Sequence, residues 1–260
     1  MAILGAAAGG AFPQITLTQS QTYVMPQDGN VCIHVVGAGG GGAGWSSGPR
    51  SGAAGAYCKK TSLVVTAGGS FTVVVGVGGA GGHYNVGVAG GNSTVAGPGL
   101  SATLTANGGS PGTSTANGVG GSASNGDVNN QGGAGTGYGG GSVGIYGTGM
   151  SGSYISPGCD SMGGGLAMSG FGQIVGGQGS SMTGSYGHQS FNGSNHMISS
   201  DQRNGGDLCG GASINIQITL YFPAGNGGVG GGGGGGRNSS SSRGVGGRGG
   251  DGVVLIQYLA

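Results

Sequence analysis

Glutamate is absent from this 260-residue chain, and charge of either sign is scarce: seven Lys and Arg against six Asp, for a net charge of +1. Each shortage excludes something. Seven scattered basic residues cannot neutralise a run of phosphates, so electrostatic nucleic-acid binding is not expected. General acid–base work draws on Glu, Asp or His in a shaped pocket. Here Asp28, Asp127, Asp160, Asp201, Asp207 and Asp251 stand mostly beside Gly or Asn, where Asp forms turns. No stretch approaches the roughly 20 apolar residues of a membrane-spanning helix, so membrane insertion is not expected. The start, residues 1–11, carries no Lys or Arg and does not read as a secretory signal. Seven prolines and glycines without a strict three-residue repeat exclude collagen. The four cysteines, Cys32, Cys58, Cys159 and Cys209, form no C-x-x-C pair, which removes zinc-ribbon and redox-motif readings. They read as free thiols of a protein folded in a reducing compartment.

What the chain has in abundance is glycine, 75 residues of 260. An interior glycine costs a helix about 0.8–1 kcal/mol relative to alanine, so a helical fold is excluded and an all-β fold is expected. Strand signals gather towards the two ends. Val31, Ile33 and Val35 alternate within 30–36; 57–66 and 70–77, separated by Ala67-Gly68-Gly69, read as a hairpin. Residues 100–106 form a weaker strand. In 213–222, Ile214, Ile216, Ile218 and Leu220 share one face, and 252–259 is apolar enough for a packed sheet. Residues 22–106 are expected to pair with 213–222 and 252–259 in one β-sandwich. The tracts between strands, 37–55, 76–99, 108–149 and 225–252, consist mainly of Gly, Ser, Asn, Ala and Thr. Composition alone reads as linker. Because the closing strand must return to the early ones, the tracts are expected to be ordered loops tied at both ends. Polyglycine also orders as an extended threefold helix whose backbone groups must pair with neighbouring helices, so stacked polyglycine II helices are one form these tracts can take.

Motif searches give little chemistry. At this glycine content G-x-G-x-x-G matches arise by chance and no helix follows them, so no nucleotide cofactor is expected. Gly55–Thr61 superficially suggests a phosphate loop but lacks the glycine before its lysine. Residues 246–254 fit the calcium nonapeptide pattern, yet the copy stands alone and no acidic array accompanies it. A turn carrying Asp251 into the last strand is the expected role. His34 alternates within a strand, and His188 with His196, near Asp160 and Asp201, reads as loop display rather than a metal site. No catalytic, cofactor or metal site is assigned, and a non-enzymatic protein is expected.

Tyr23-Val24-Met25-Pro26 through Val36, followed by Gly37-Ala38-Gly39-Gly40-Gly41-Gly42, resembles the opening of glycine-rich domains in bacteriophage tail-fibre proteins. Gly52–Tyr57, Val64–Gly68, Val73–Gly79 and the closing Gly249–Tyr258 match in order, so the resemblance covers about 20–110 and 225–259. More loosely, the chain is similar to the distal-tip adhesins of T-even-type phage long tail fibres, which stack polyglycine helices and display variable loops. The resemblance implies an N-terminal arm or attachment segment at 1–21 and a single glycine-rich β domain over 22–260, with 111–224 as a variable insert. It implies a virion structural protein of a tail fibre or tail tip, assembled in the host cytoplasm. Its partners would be other virion proteins and a host cell-surface receptor, and it would be a homo-oligomer, a trimer on a fibre.

The insert sets aromatic and Met side chains among Gly, Ser and Asn, the composition antibody paratopes use. Tyr138, Tyr146, Tyr154, Phe171, Tyr186, His188, Phe191 and His196, with Trp45 in the first glycine tract, are therefore the receptor-contact candidates. The competing expectation is that these rings cap the glycine scaffold. Two other functions remain open: a purely structural virion part, and, outside phage, an ice-binding or matrix protein. Ice binding predicts a regular flat face of Gly-x-x units, and the glycine spacing here is irregular.

Overall fold

The computed structural model describes residues 14–44, 50–137, 139–152, 208–211, 224–238 and 244–259, together with the backbone strands 164–166, 174–176, 191–192 and 214–216. Fifteen strands are present among them. In the first half these are β1 (Gln14–Leu17), β2 (Gln21–Val24), β3 (Gly29–Val36), β4 (Tyr57–Val65), β5 (Ser70–Val74), β6 (Ser93–Ala96), β7 (Leu104–Ala106), β8 (Ala123–Ser124) and β9 (Val128–Asn130). The second half adds β10 (Gly164–Leu166), β11 (Ile174–Gly176), β12 (Phe191–Asn192), β13 (Ile214–Ile216), β14 (Gly236–Asn238) and β15 (Val253–Tyr258). The fold is all-β. Two five-stranded antiparallel sheets run in the orders β1-β15-β3-β4-β9 and β2-β5-β6-β7-β8.

Alternation builds the core. Val31, Ile33 and Val35 of β3, Leu63 and Val65 of β4, and Val254, Ile256 and Tyr258 of β15 join Phe71 and Val73 of β5, Val95 of β6 and Leu104 of β7 in one buried cluster drawn from both sheets. Within the first 21 residues, Gln14–Leu17 pair with β15 and bury Ile15 and Leu17 in that cluster. The opposite face of the first sheet carries a second cluster of Val36, Tyr57, Val253 and Leu255 with Val143, Ile145 and Leu208. There the sheet meets the glycine-rich region.

Two pairings differ from the sequence expectation. β4 and β5 form no hairpin: β4 pairs with β3 and β9, and β5 with β2 and β6. The turn between them is bound to the β2–β3 corner instead. Asp28 accepts from the Ala67 amide at 2.7 Å, Gly68 donates to Met25 and Met25 to Gly69, and Gly68 supplies the left-handed φ of 78°. That anchoring sends β5 into the second sheet beside β2, where both strands bury an alternate face. The second difference is β13, which joins neither large sheet. It pairs in parallel with β12 and β14 in a separate three-stranded sheet; the described residues before and after it, 208–211 and 224–228, bond within the glycine-rich region.

The described parts of the glycine tracts are joined by a three-residue hydrogen-bond rotation. Gly37, Gly40 and Ala43 donate to Ala56, Ala53 and Arg50; Ala38, Gly41 and Gly44 to Gly91, Val88 and Asn85; Gly39 and Gly42 to Gly250 and Gly247. Carbonyls of the same segment accept in the same rhythm: Ala38 and Gly41 from Gly109 and Gly112, Gly39 and Gly42 from Gly79 and Gly82, Gly40 and Ala43 from Gly233 and Gly236. Residues 37–44 therefore sit among six segments, three antiparallel and three parallel. A β-ladder, with its two-residue period, reaches only two neighbours. The backbones approach so closely that a Cβ at Gly39, Gly41 or Gly79 would overlap the carbonyl oxygens of Gly231, Ala80 and Val88. Segments of the expected insert belong to this array: Gly118 and Gly121 donate to Ser51 and Ala54, and Gly140 to Gly211.

Candidate functional site

The array has two ends. One merges with the sheets through the second apolar cluster. At the other, chain reversals converge: Ala43 is bridged to Arg50, Gly44 to Gly236, and His83 to Val245. Gly44 donates to Asn85, Thr113 to Ala116, Thr136 to Gly139, Gly152 to Ala134, and Ala224 to Val245. The described residues on either side of Trp45 (Gly44 and Arg50) and of Tyr138 (Gly137 and Gly139) thus lie at this distal end. So do Gly152, before the segment that holds Tyr154, and Gly211, before 212–223. Trp45, Tyr138, Tyr154, Phe171, Tyr186, His188 and His196 themselves lie outside the described residues. Phe191 is described only as backbone, paired with Ile214 in β12–β13. Tyr146 is set apart from the distal end. It is 71% exposed and follows Ile145, which packs with Val36 and Tyr57 where the array meets the first sheet.

Sequence reasoning missed one pair at the distal end. Tyr84 takes a left-handed φ of 58°, a conformation that costs a non-glycine residue energy and is enriched at functional sites. Its ring is exposed and packs edge-on against His83 at 4.4 Å between centroids. The available signal was His-Tyr-Asn interrupting an otherwise glycine–alanine–valine run. Nearby, the Nε of Arg50 is buried without a hydrogen-bond partner.

The most perturbed titratable groups lie elsewhere, on the outer face of the first sheet. His34 is 3% exposed; its Nδ1 lies 2.7 Å from the Tyr57 hydroxyl and its Nε2 3.3 Å from the Cys32 sulfur. Burial, reinforced by the Lys59 charge opposite it in register, pushes the imidazole down to about 4. Burial likewise raises the Cys32 thiol and the Tyr57 phenol. Raised thiols and a neutral, sealed imidazole are the reverse of an activated Cys–His pair, whose thiolate must be favoured and reachable. The cluster is a satisfied polar insertion in an apolar layer.

Strands β3 and β4 are adjacent, yet Cys32 and Cys58 occupy opposite faces. Cys32 lies with His34, whereas Cys58 belongs to the core cluster; it donates to the Ser124 carbonyl at 3.4 Å, and burial raises it to about 11. No 32–58 disulfide is expected to form in the folded protein. Non-reducing peptide mapping checks this, and a 32–58 cross-linked peptide in most copies contradicts it.

At the chain's end, Asp251 accepts from the Gly78 amide at 2.7 Å and from the Arg248 guanidinium. Both contacts fit the expected turn into β15. Among the described residues no group of three or more His, Cys, Asp or Glu converges to hold a metal, and no helix is long and apolar enough to cross a membrane.

A family model described as a glycine-rich domain matches residues 15–259. No curated protein matches the chain.

Proposed function

The chain belongs to the glycine-rich domain family, and from that premise we propose that it is a non-enzymatic bacteriophage virion protein, a tail-fibre or tail-tip component that binds a host-cell receptor. In this reading the glycine segments are stacked polyglycine II helices, copies associate on a fibre as a trimer, and the protein acts on the virion after assembly in the host cytoplasm. The observation that supports it is the convergence of chain reversals at one end of the array. A scaffold cross-bonded in three directions is stiff, and loops rooted together on a stiff support lose little further conformational entropy when they bind. Aromatic anchors among Gly, Ser and Asn suit that role.

The reading predicts that recognition concentrates in few side chains. Buried Tyr and Trp at interfaces typically cost about 2 kcal/mol or more on truncation, or roughly 30-fold in affinity. Trp45→Ala, Tyr138→Ala, Tyr154→Ala, Tyr186→Ala and Phe191→Ala, made singly, are expected to include at least two that assemble normally but adsorb about 30-fold less to host cells. Particle incorporation is scored separately. If every variant that assembles adsorbs normally, the receptor role falls and a purely structural virion role replaces it.

A further inference from the structure

After Lys60 the next charged residue is Asp127, so residues 61–126 carry no Asp, Glu, Lys or Arg. This stretch builds four strands of the second sheet and the glycine segments 76–82 and 85–91. On the sheet's outer face Thr22 of β2 stands opposite Thr72 of β5 and then Ala96 of β6, while Val74 stands opposite Thr94 and then Thr105 of β7. Val24 and Val74 on that face are 53% and 40% exposed. β5 runs straight into 76–82, where exposure recurs every third residue at Val77, Ala80 and His83. The neighbouring segment is bonded alongside, Val88 donating to Ala80 and Gly91 to Val77, and it presents Val86 and Val88. Val77 is 66% exposed and Val88 56%.

The backbone of this flank is open as well. In 76–82 the amides of Gly76, Gly78, Gly79 and Gly82 all find acceptors, whereas those of Val77, Ala80 and Gly81 find none among the described residues. In 85–91 the carbonyls of Asn85, Val88 and Gly91 are taken up, whereas those of Val86, Gly87, Ala89 and Gly90 receive no donor among the described residues.

We infer that this flank, centred on Val77, Ala80, Val86 and Val88, is the surface through which copies of the chain associate. Among its unpaired donors Val77 and Ala80, and among its unpaired acceptors Val86 and Ala89, stand three residues apart, a spacing that a β-strand edge, with its period of two, cannot match. An extended glycine-rich segment with the same threefold rotation does match it, and this chain's own flank presents both the donor row and the acceptor row. A surface carrying both halves of a contact is suited to pairing with itself. Proteins that keep open edges apart place Lys or other charges on them; here 61–126 contribute none, the Asp251–Arg248 pair at Gly78 being supplied by the turn before β15, and depletion of charge is what distinguishes the cores of protein interfaces. The inference rests on the oligomeric part of the proposed function and is independent of receptor binding at the distal end.

The test is the mass of the full chain by size-exclusion chromatography with light scattering, from micromolar to high micromolar concentration. The wild type is expected at a multiple of 24.2 kDa. The double variant V77K/V88K changes two exposed side chains and is expected to run as a monomer, with association weakened at least about tenfold. Thr72→Lys, on the sheet part of the same flank, is expected to weaken association likewise, so a folding defect in one variant does not decide the matter. Val64→Lys, at a 76% exposed position of β4 in the other sheet, is expected to keep the wild-type mass. Circular dichroism and thermal melts confirm folding of each. A wild type that oligomerises while V77K/V88K and Thr72→Lys, both folded, keep its mass overturns the inference but leaves the oligomeric reading standing. A wild type that is monomeric throughout overturns both, including one that instead slows ice growth through its flat Thr and Val face.

Discussion

Gly41→Ala is expected to destabilise the protein by about 4 kcal/mol or more, at the extreme of single substitutions, although it adds one methyl group. That methyl would overlap the carbonyl oxygen of Ala80, which already accepts from Val88. Backbone cannot swing aside as a side chain can: moving 79–82 pulls at the bonds from Gly79 to Gly39 and from Gly82 to Gly42, so the central segment is displaced with it. Gly147→Ala is the matched control. A Cβ there meets open space and the residue has no left-handed φ; its effect is expected within about 1 kcal/mol, on the stabilising side, because alanine reduces the entropy of the unfolded chain. Denaturant unfolding of the two variants measures the difference. Equal stabilities would mean that the array yields locally, and close backbone packing would not be what holds it.

The second large effect is on pH. His34 is held at about 4 when folded, against about 6.5 when unfolded. Between these values the unfolded chain binds a proton that the native protein refuses, so stability falls as pH drops from about 6.5 and the loss is complete near 4. Two and a half pH units correspond to about 3 kcal/mol. The groups facing the imidazole, the Tyr57 hydroxyl, the Cys32 thiol and the Lys59 ammonium, include no carboxylate to offset this cost. Asp127 contributes in a separate, lower window. Lys60 and Thr61 hold its carboxyl at about 2, so its stabilisation is lost only below about pH 4. His34→Gln is expected to flatten the unfolding free energy between pH 6.5 and 4 while leaving the steep region below it. Persistence of the full slope in that variant would assign it to another histidine.

Much of the first sheet was legible in the chain. The period-two pattern of Val31, Ile33 and Val35 and the apolar run of 253–258 have one physical solution, burial of one face against another sheet. The partner of 70–74 was not legible, because Ala67-Gly68-Gly69 permits both a hairpin and a crossing between sheets. Asp28 and Met25, 39 and 43 residues away in sequence from the groups they bind, made the choice. Of the candidate recognition residues, the sequence pointed to aromatics scattered from Trp45 to His196 but could not tell the two ends of the array apart. Tyr146 and the residues flanking Tyr138 are near in sequence and belong to opposite ends, because 139–144 runs the length of the array.

The sequence by itself determined three things: that helices are excluded, that charge plays little part, and that glycine is dense enough for backbones to touch. These follow from composition and local period, which need no knowledge of neighbours. Only the tertiary structure decided which segment bonds to which. A glycine segment carries no side-chain pattern to name its partners, and every register of one against another looks alike locally. The choice falls to the few residues that anchor each segment's ends: Val36, Val143 and Leu208 in the second cluster, and the side chains of Ser93 and Asp251, which take up the Gly76 and Gly78 amides. Once those ends are placed, the three-residue rotation sets every bond between them.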